Sequence, residues 1–377
     1  MICLARSRLL ELNTSMSPTN PRARDLGIPF EGITGPLNAI TDVIGVEVGH
    51  TTLISGEGPL KVGIGPIRTG VTAVLPRGKA SDNPTFAGWF SLNGCGEMTG
   101  TSWIDESGFL EGPILITNTH SVGTVRDAVI AWQLKHFHKV ANPFFLPVVA
   151  ETYDGYLNDI NGFHVEEKHV FEALDGARSG PVPEGNVGGG TGMVCCEFTA
   201  GIGTASRKLD AQFGGFTVGV LAQCNYGIRN QLRIAGVPVG LEITDGTFRR
   251  KDEGSIISVI ATNAPLLPHQ LKRLARRASL GIARDGAVSH NSSGDLFIAF
   301  STANPKCVGP TSTANVTMLA NERMNPIFEA CVQASEESVV NSLVAAETMT
   351  GINDLTVVAI PHDRLMQIMK KYNRLMV

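Results

Sequence analysis

Chemistry in this chain is easiest to imagine at one junction, "RRKDEGSIISVIATNAPL" over residues 249–266. A charged run ends at Gly254, and Ser255 then opens the apolar segment Ile256, Ile257, Val259, Ile260 and Ala261. A serine hydroxyl is a weak nucleophile near its free pKa and needs an adjacent base. A chain that cut itself between Gly254 and Ser255 would supply that base from the same residue. The freed α-amino group, with an ordinary pKa of about 7.7–8.0, accepts the hydroxyl proton near neutral pH. Glycine before the cut leaves the scissile carbonyl uncrowded and permits a strained backbone. Among 42 glycines this is the only Gly-Ser pair. The plainer reading is a turn that caps a buried strand, and the residues by themselves leave both open.

Other chemistries find less to stand on. Neither HExxH, CxxC nor a Cys/His cluster occurs, and His136 and His138 fall on an expected helix, so no metal or cofactor is expected. "GNVGGGTGM" (185–193) lacks GxxxxGK[ST], as does "GIGTASRK" (201–208), and both are read as tight turns or close backbone packing. The GxSxG elbow is absent, which argues against the α/β-hydrolase arrangement of a catalytic triad.

The elements that must hold such a junction come from a chain of ordinary composition. It has 377 residues, 43% hydrophobic and 18% charged, enough for a substantial core. Its 31 basic and 35 acidic residues give a net charge of −4 without a basic run, which disfavours nucleic acid as a partner. No apolar run reaches the roughly 18 residues of a membrane span. Arg6, Arg8 and Glu11 interrupt any secretory core near the N-terminus, so the cytoplasm is the expected compartment, with the periplasm as the alternative. The cysteines at 3, 95, 195, 196, 224, 307 and 331 are read as reduced thiols.

Apolar runs at 71–76, 112–118, 143–150, 216–224, 255–262, 295–302 and 355–361 read as strands, several buried on both faces. Helical spacing lies between them: Val125, Ala128, Val129, Trp132; Leu271, Leu274, Ala275, Ala278; Val339, Val340, Leu343, Val344. The C-terminal "HDRLMQIMKKY" is also amphipathic. This alternation predicts a layered α/β domain. Residues 1–20 read as a disordered extension and 21–377 as one domain, with "ALDGARSGPVPE" (173–184) as a long surface loop. Trp103 and Trp132 are read as core.

The junction, together with "HNSSGDLFIAFSTAN" (290–304), "RARDLGIPFEGITGPLNAITDVIGVEVGHTTL" (22–53) and "GGGTGMVCCEFTAGIGTASR" (188–207), resembles the self-processing serine aminopeptidases. That family includes L-aminopeptidase/D-alanyl-esterase-amidase and the β-peptidyl aminopeptidases. The likeness runs from about residue 20 to the end. It implies a four-layer αββα sandwich shared with the ornithine acetyltransferases, and cleavage into an α chain, 1–254, and a β chain, 255–377.

Carried over position by position, Ser255 matches the autocatalytic residue and nucleophile. Ser293 and Asp295 in "SSGDLF" match a Ser-Gly-acid pair that tunes its hydroxyl and amine. Aspartate stands where β-peptide-cleaving members carry glutamate, which changes the reach of that carboxylate. Asn225 in "QCNYG" and Tyr153 in "AETYDG" match the donors to the oxyanion. Glu151 matches the carboxylate that meets the substrate's free amine, and in an extended strand it would share a face with Tyr153. The resemblance implies small peptide, amide or ester substrates with a free amino group, and a homotetramer. Two other readings stay open: an ornithine-acetyltransferase-like acyltransferase, whose threonine would be Thr247 in a poorly placed, charged setting, and an uncut ligand-binding relative.

Overall fold

The computed structural model describes residues 20–137, 143–248, 254–305, 307–308 and 312–376. In chain order the principal strands are β1 (Glu47–Ser55), β2 (Ile67–Leu75), β3 (Thr85–Gly94), β4 (Ile114–Asn118), β5 (Val148–Thr152), β6 (Gly201–Lys208), β7 (Thr217–Asn225), β8 (Gly254–Thr262) and β9 (Ser293–Ser301). One four-stranded sheet has the order β1-β2-β4-β5. The other has six strands, a short edge at Phe109–Leu110 followed by β3-β9-β8-β7-β6.

Each sheet is covered on both faces. Between the sheets lie Val74, Ile116 and Ala150 from one and Leu221, Ile257 and Ile298 from the other. On the outer face of the four-stranded sheet, helices α1 (Val122–His136) and α2 (Glu167–Asp175) bury Val129, Trp132 and Leu174 against Val71 and Leu115. On the outer face of the six-stranded sheet, α3 (Pro268–Arg284) and α4 (Asn325–Val344) bury Leu274 and Leu343 against Ile256 and Phe297. The result is the expected αββα sandwich. Two-sided burial explains why β8 reads as a continuous apolar run: Ile256 and Ile260 face the helices, while Ile257 and Val259 face the opposing sheet.

Several expectations need correction. Of the two readings of "GIGTASRK", the tight turn gives way to the edge strand β6, whose small residues hid it, while close backbone packing holds. A Cβ on Gly203 would collide with the Ser338 carbonyl of α4, so the helix lies directly on the strand backbone. The segment 173–184 is a surface loop only in part, with Arg178, Ser179, Pro181 and Pro183 exposed but its start anchored. Ala173 and Leu174 end α2, Ala177 is fully buried, and Arg178 exchanges backbone hydrogen bonds with Val48. Within 143–150 the strand begins only at Val148, and within 355–361 it is confined to Thr356–Val357. Trp132 is core as expected, stacked on His136 at 4.2 Å, whereas Trp103 is only half-buried on a short helix. His138 lies outside the described residues.

Candidate active site

Strand register builds the site. Ser255 pairs with Asn225 across the antiparallel β7–β8 ladder and with Gly294 across the parallel β8–β9 ladder. Gly294 in turn pairs with Gly94 of β3. Asn225, Ser255, Gly294 and Gly94 therefore form one row across four strands, at the end where β7 and β3 stop and β8 and β9 begin. Period-two alternation turns Ser255 and Asn225 toward the opposing sheet, on the face of Ile257 and Leu221. Ser255 is 5% exposed, and its Oγ accepts a hydrogen bond from Gly294 N–H at 3.1 Å.

Gly254 is obligatory at its position. Its φ is +130°, and a Cβ there would collide with the Asn225 carbonyl oxygen. The peptide entering Ser255 is thus held in a conformation closed to other residues, hard against the strand that carries Asn225.

Ser293 and Asp295 are both buried, and Ser293 Oγ donates to Asp295 Oδ1 at 2.7 Å. Register sets Ser293 opposite Gly254. Alternation along β9 places this pair on the helix-facing side, with Phe297, while Gly294 lies on the inter-sheet side. The pair therefore flanks the backbone of the junction rather than the Ser255 hydroxyl.

Asn225 is fixed through both ends of its amide. Its Oδ1 accepts from Val194 N–H at 2.9 Å and its Nδ2 donates to the Tyr153 carbonyl at 2.8 Å, which leaves one amide hydrogen uncommitted by these bonds. Tyr153 is 43% exposed and meets Tyr156 edge-on, which in turn meets Phe248. It does not share a strand face with Glu151, because β5 ends at Thr152 and Tyr153 begins the following turn. The phenol packs on its own turn instead, where a Cβ on Gly155 would strike the hydroxyl oxygen.

Glu151 is no surface carboxylate. It is buried, accepting Glu97 N–H at 3.0 Å and the Thr119 hydroxyl. Burial raises its pKa above the usual carboxylate range, opposed by the bonds from Thr119 and Glu97 N–H. Gly96 links it to the row that holds Ser255: a Cβ on Gly96 would lie 3.0 Å from Gly294 Cα and 3.2 Å from Glu151 Oε1. Glycine at 96 thus lets the carboxylate approach the strand that pairs with Ser255. Sequence reasoning missed Gly96, Gly294 and Thr119. Thr119 had a readable sign, since "ILITNT" ends an apolar strand in polar residues directly beside the Glu151 strand.

The described residues contain no group of three or more His, Cys, Asp and Glu side chains able to hold a metal ion. What they do assemble is a serine at the head of a central strand, amide and phenol donors at neighbouring strand ends, and a buried carboxylate a short way off. A two-sheet sandwich with that arrangement defines a serine-type hydrolase with the N-terminal-nucleophile fold.

Comparison with known proteins narrows the class. The profile of Peptidase family S58 matches residues 38–357. The β-peptidyl aminopeptidase BapA of Sphingosinicella microcystinivorans is 55% identical over 95% of this chain and 94% of its own length. The enzyme of the same name from Sphingosinicella xenopeptidilytica is 49% identical over 97% and 95%. The L-aminopeptidase D-Ala-esterase/amidase of Ochrobactrum anthropi, described as a prototype for the serine aminopeptidases and a new variant of the Ntn hydrolase fold, superposes with a TM-score of 0.88 at 50% identity, covering 94% of this chain and 99% of that one. The chain belongs to peptidase family S58 and is an aminopeptidase acting on peptides.

Proposed function

We propose that this aminopeptidase is activated by its own cleavage at Gly254–Ser255 into chains 1–254 and 255–377, and that Ser255 then carries the acyl group of each substrate. The observation that supports this most is the junction itself: a glycine at φ +130° leading directly into a buried serine opposite Asn225 and Gly294. Ser255 Oγ attacks the Gly254 carbonyl, the C–N bond breaks to leave an ester, and water hydrolyses it. Gly254 becomes a carboxylate and Ser255 gains an α-amine.

That amine takes the Oγ proton as Oγ attacks the substrate carbonyl. Asn225 Nδ2–H and the Tyr153 hydroxyl donate to the oxyanion, an interaction worth about 2.7–4 kcal/mol per donor in the barrier. The α-ammonium then protonates the departing amine or alcohol, and water releases the acyl group. Ser293 and Asp295, bonded to one another beside the junction, hold the amine in position. Glu151 binds the ammonium of the substrate, restricting the enzyme to a free N-terminal residue.

The two BapA relatives favour a β-amino residue at that position, and the Ochrobactrum enzyme favours an L-α-amino residue, with esters and amides also accepted. A panel of β-, L- and D-aminoacyl amides on processed protein ranks the three. The reading further assigns a homotetramer and a cytoplasmic location. No helix of the described residues is long and apolar enough to cross a membrane.

Denaturing gels should show pieces of roughly 27 and 13 kDa, the 40.1 kDa chain divided in proportion to residue number. The smaller should begin Ser-Ile-Ile-Ser, and Ser255→Ala should be uncut and inactive. Turnover of an aminoacyl p-nitroanilide by that variant would refute the mechanism.

A further inference from the structure

The turn that carries Tyr153 has a second acidic residue at its centre. Asp154 is fully buried, and its main-chain carbonyl closes the turn by accepting Leu157 N–H at 3.0 Å and Asn158 N–H at 3.1 Å. Its Oδ1 accepts Asn158 Nδ2–H at 3.0 Å, and Asn158 Oδ1 accepts Arg68 N–H of β2 at 2.9 Å. Its Oδ2 is sealed from solvent beside the Thr69 hydroxyl and the Asn118 amide, without a close hydrogen bond of its own. Asn118 Nδ2 donates to Thr69 Oγ1 at 2.7 Å, and Asn118 Oδ1 accepts His120 N–H and Ser121 N–H, fixing the turn after β4. Gly192 packs against this cluster, where a Cβ would strike the Arg68 carbonyl and lie 3.2 Å from Asp154 Cβ.

The two turns joined here hold much of the substrate-facing machinery. One presents the Tyr153 phenol and the Tyr153 carbonyl that orients Asn225. The other presents Thr119, whose hydroxyl orients Glu151. We propose that Asp154 is a positioning residue: its buried carboxylate holds Asn158, which ties the Tyr153 turn to β2 through Arg68 N–H, and the Thr69–Asn118 bond carries that tie on to β4, so that Tyr153, Asn225 and Glu151 are set in register for the same substrate. The inference rests on the roles given to those residues above.

Burial pushes Asp154 up to about 7, opposed by the bond from Asn158 and by the nearby Thr69 hydroxyl and Asn118 amide. Those donors serve the ionised form, so the turn is tightest above that pH and slackens as a proton is taken up. The charged groups on the surrounding elements are engaged elsewhere. The Arg68 guanidinium of β2 is spent on the carbonyls of Ser55, Gly56, Ile67 and Thr350. Asp159, further along its own segment, pairs with His164. Beyond β4, His120 stacks on Phe163, and Glu151 on β5 is bound by Thr119 and Glu97 N–H.

The test is Asp154→Asn, purified in processed form, with competent sites counted by N-terminal sequencing of the Ser255 chain. Per competent site, kcat on an aminoacyl p-nitroanilide should fall roughly 10- to 100-fold, the loss expected when reacting groups are displaced by about an ångström. KM should change less. The ratio of wild-type to variant kcat/KM should climb with pH through about 7. The α-amine titration is common to both proteins and cancels in that ratio. A ratio flat from about pH 6 to 8.5, a loss confined to KM, or unchanged per-site activity would overturn the proposal. Should Asp154→Asn fail to accumulate, Asn158→Ser removes one donor and leaves the carboxylate. It should give a smaller loss whose wild-type to variant ratio climbs through about 7 and then falls back at higher pH, where the variant's carboxylate ionises in its turn, and a ratio flat throughout is equally fatal. Activity surviving in Ser255→Ala would instead strike the nucleophile assignment, which keeps the two failures apart.

Discussion

Two buried glutamates, Glu337 and Glu151, show how differently one side chain is treated in different parts of this molecule. Glu337 on α4 is fully buried and receives Arg24 Nε at 2.7 Å and Nη2 at 2.9 Å, Arg207 Nη2 at 2.7 Å and Asn38 Nδ2 at 2.6 Å. Burial pushes its pKa up, but the Arg24 hydrogen bonds and the charges of Arg207 and Arg24 outweigh it and hold the group below its ordinary value. Glu151 is nearly as buried, yet its two partners are a hydroxyl and a backbone N–H, and its pKa moves upward. One carboxylate is supplied with its cations by the fold. The other is desolvated and hydrogen-bonded but left short of positive charge, which is what the role proposed for it, meeting a counter-ion that arrives with the substrate, would require.

The comparison is tested most forcefully at the saturated end. Glu337→Ala should destabilise the chain by about 3–5 kcal/mol, because it leaves the buried Arg207 guanidinium and Arg24 without their carboxylate. Urea unfolding in the Ser255→Ala background, where the proposed cleavage would not occur, measures this cleanly. Turnover per competent site in otherwise normal protein should be nearly unchanged. A large loss of per-site activity would mean that the cluster is wired to the active site, and the contrast would fail.

Glu151→Gln should do the reverse. A carboxylate whose folded pKa lies above its unfolded value stabilises the fold only at low pH, and that contribution is lost as pH rises through the folded pKa. The glutamine variant should therefore match or exceed wild-type stability, by thermal melt, at pH above that folded pKa. Loss of one charge-assisted bond to the substrate ammonium should cost about 2 kcal/mol, roughly 30-fold in kcat/KM for free-amine substrates. An N-acetylated analogue, already poor, should lose nothing more. Equal losses on both substrates would remove Glu151 from amine recognition.

How much of this could be read beforehand depended on whether a residue's role was local. Ser255, Asn225 and Ser293 stand at the ends of apolar runs, so strand termini alone bring them to one edge of a sheet. The row they form needs only the register that two-sided burial enforces. Gly96, Thr119 and Asp154 were hidden for the opposite reason. Their importance lies in what approaches them from distant chain segments, and "ETYDG" looks like any turn until Asn158, Thr69 and Asn118 close around its aspartate. The strand β6 was lost in the same way, since Gly203 is small because α4 rests on it, not because the chain bends there.

The smallest expected effect lies in the one hydroxyl that separates the two glutamates in kind. Thr119 donates to Glu151 from the neighbouring strand end and partly counters the upward pull of burial. Thr119→Val keeps the shape and removes the donor, so the ionised carboxylate loses support and its pKa climbs further. At pH high enough to ionise Glu151 in both proteins, kcat/KM for a free-amine substrate should drop only a few-fold, within the 0.5–1.5 kcal/mol of an ordinary hydrogen bond. As pH is lowered the wild-type to variant ratio should widen, because the variant's carboxylate protonates first. Its direction is opposite to that expected for Asp154→Asn, whose ratio narrows as pH falls. If both variants showed the same slope, Glu151 and Asp154 would be titrating as one coupled unit, and the charge-deficient receptor would have to be redrawn to include them both.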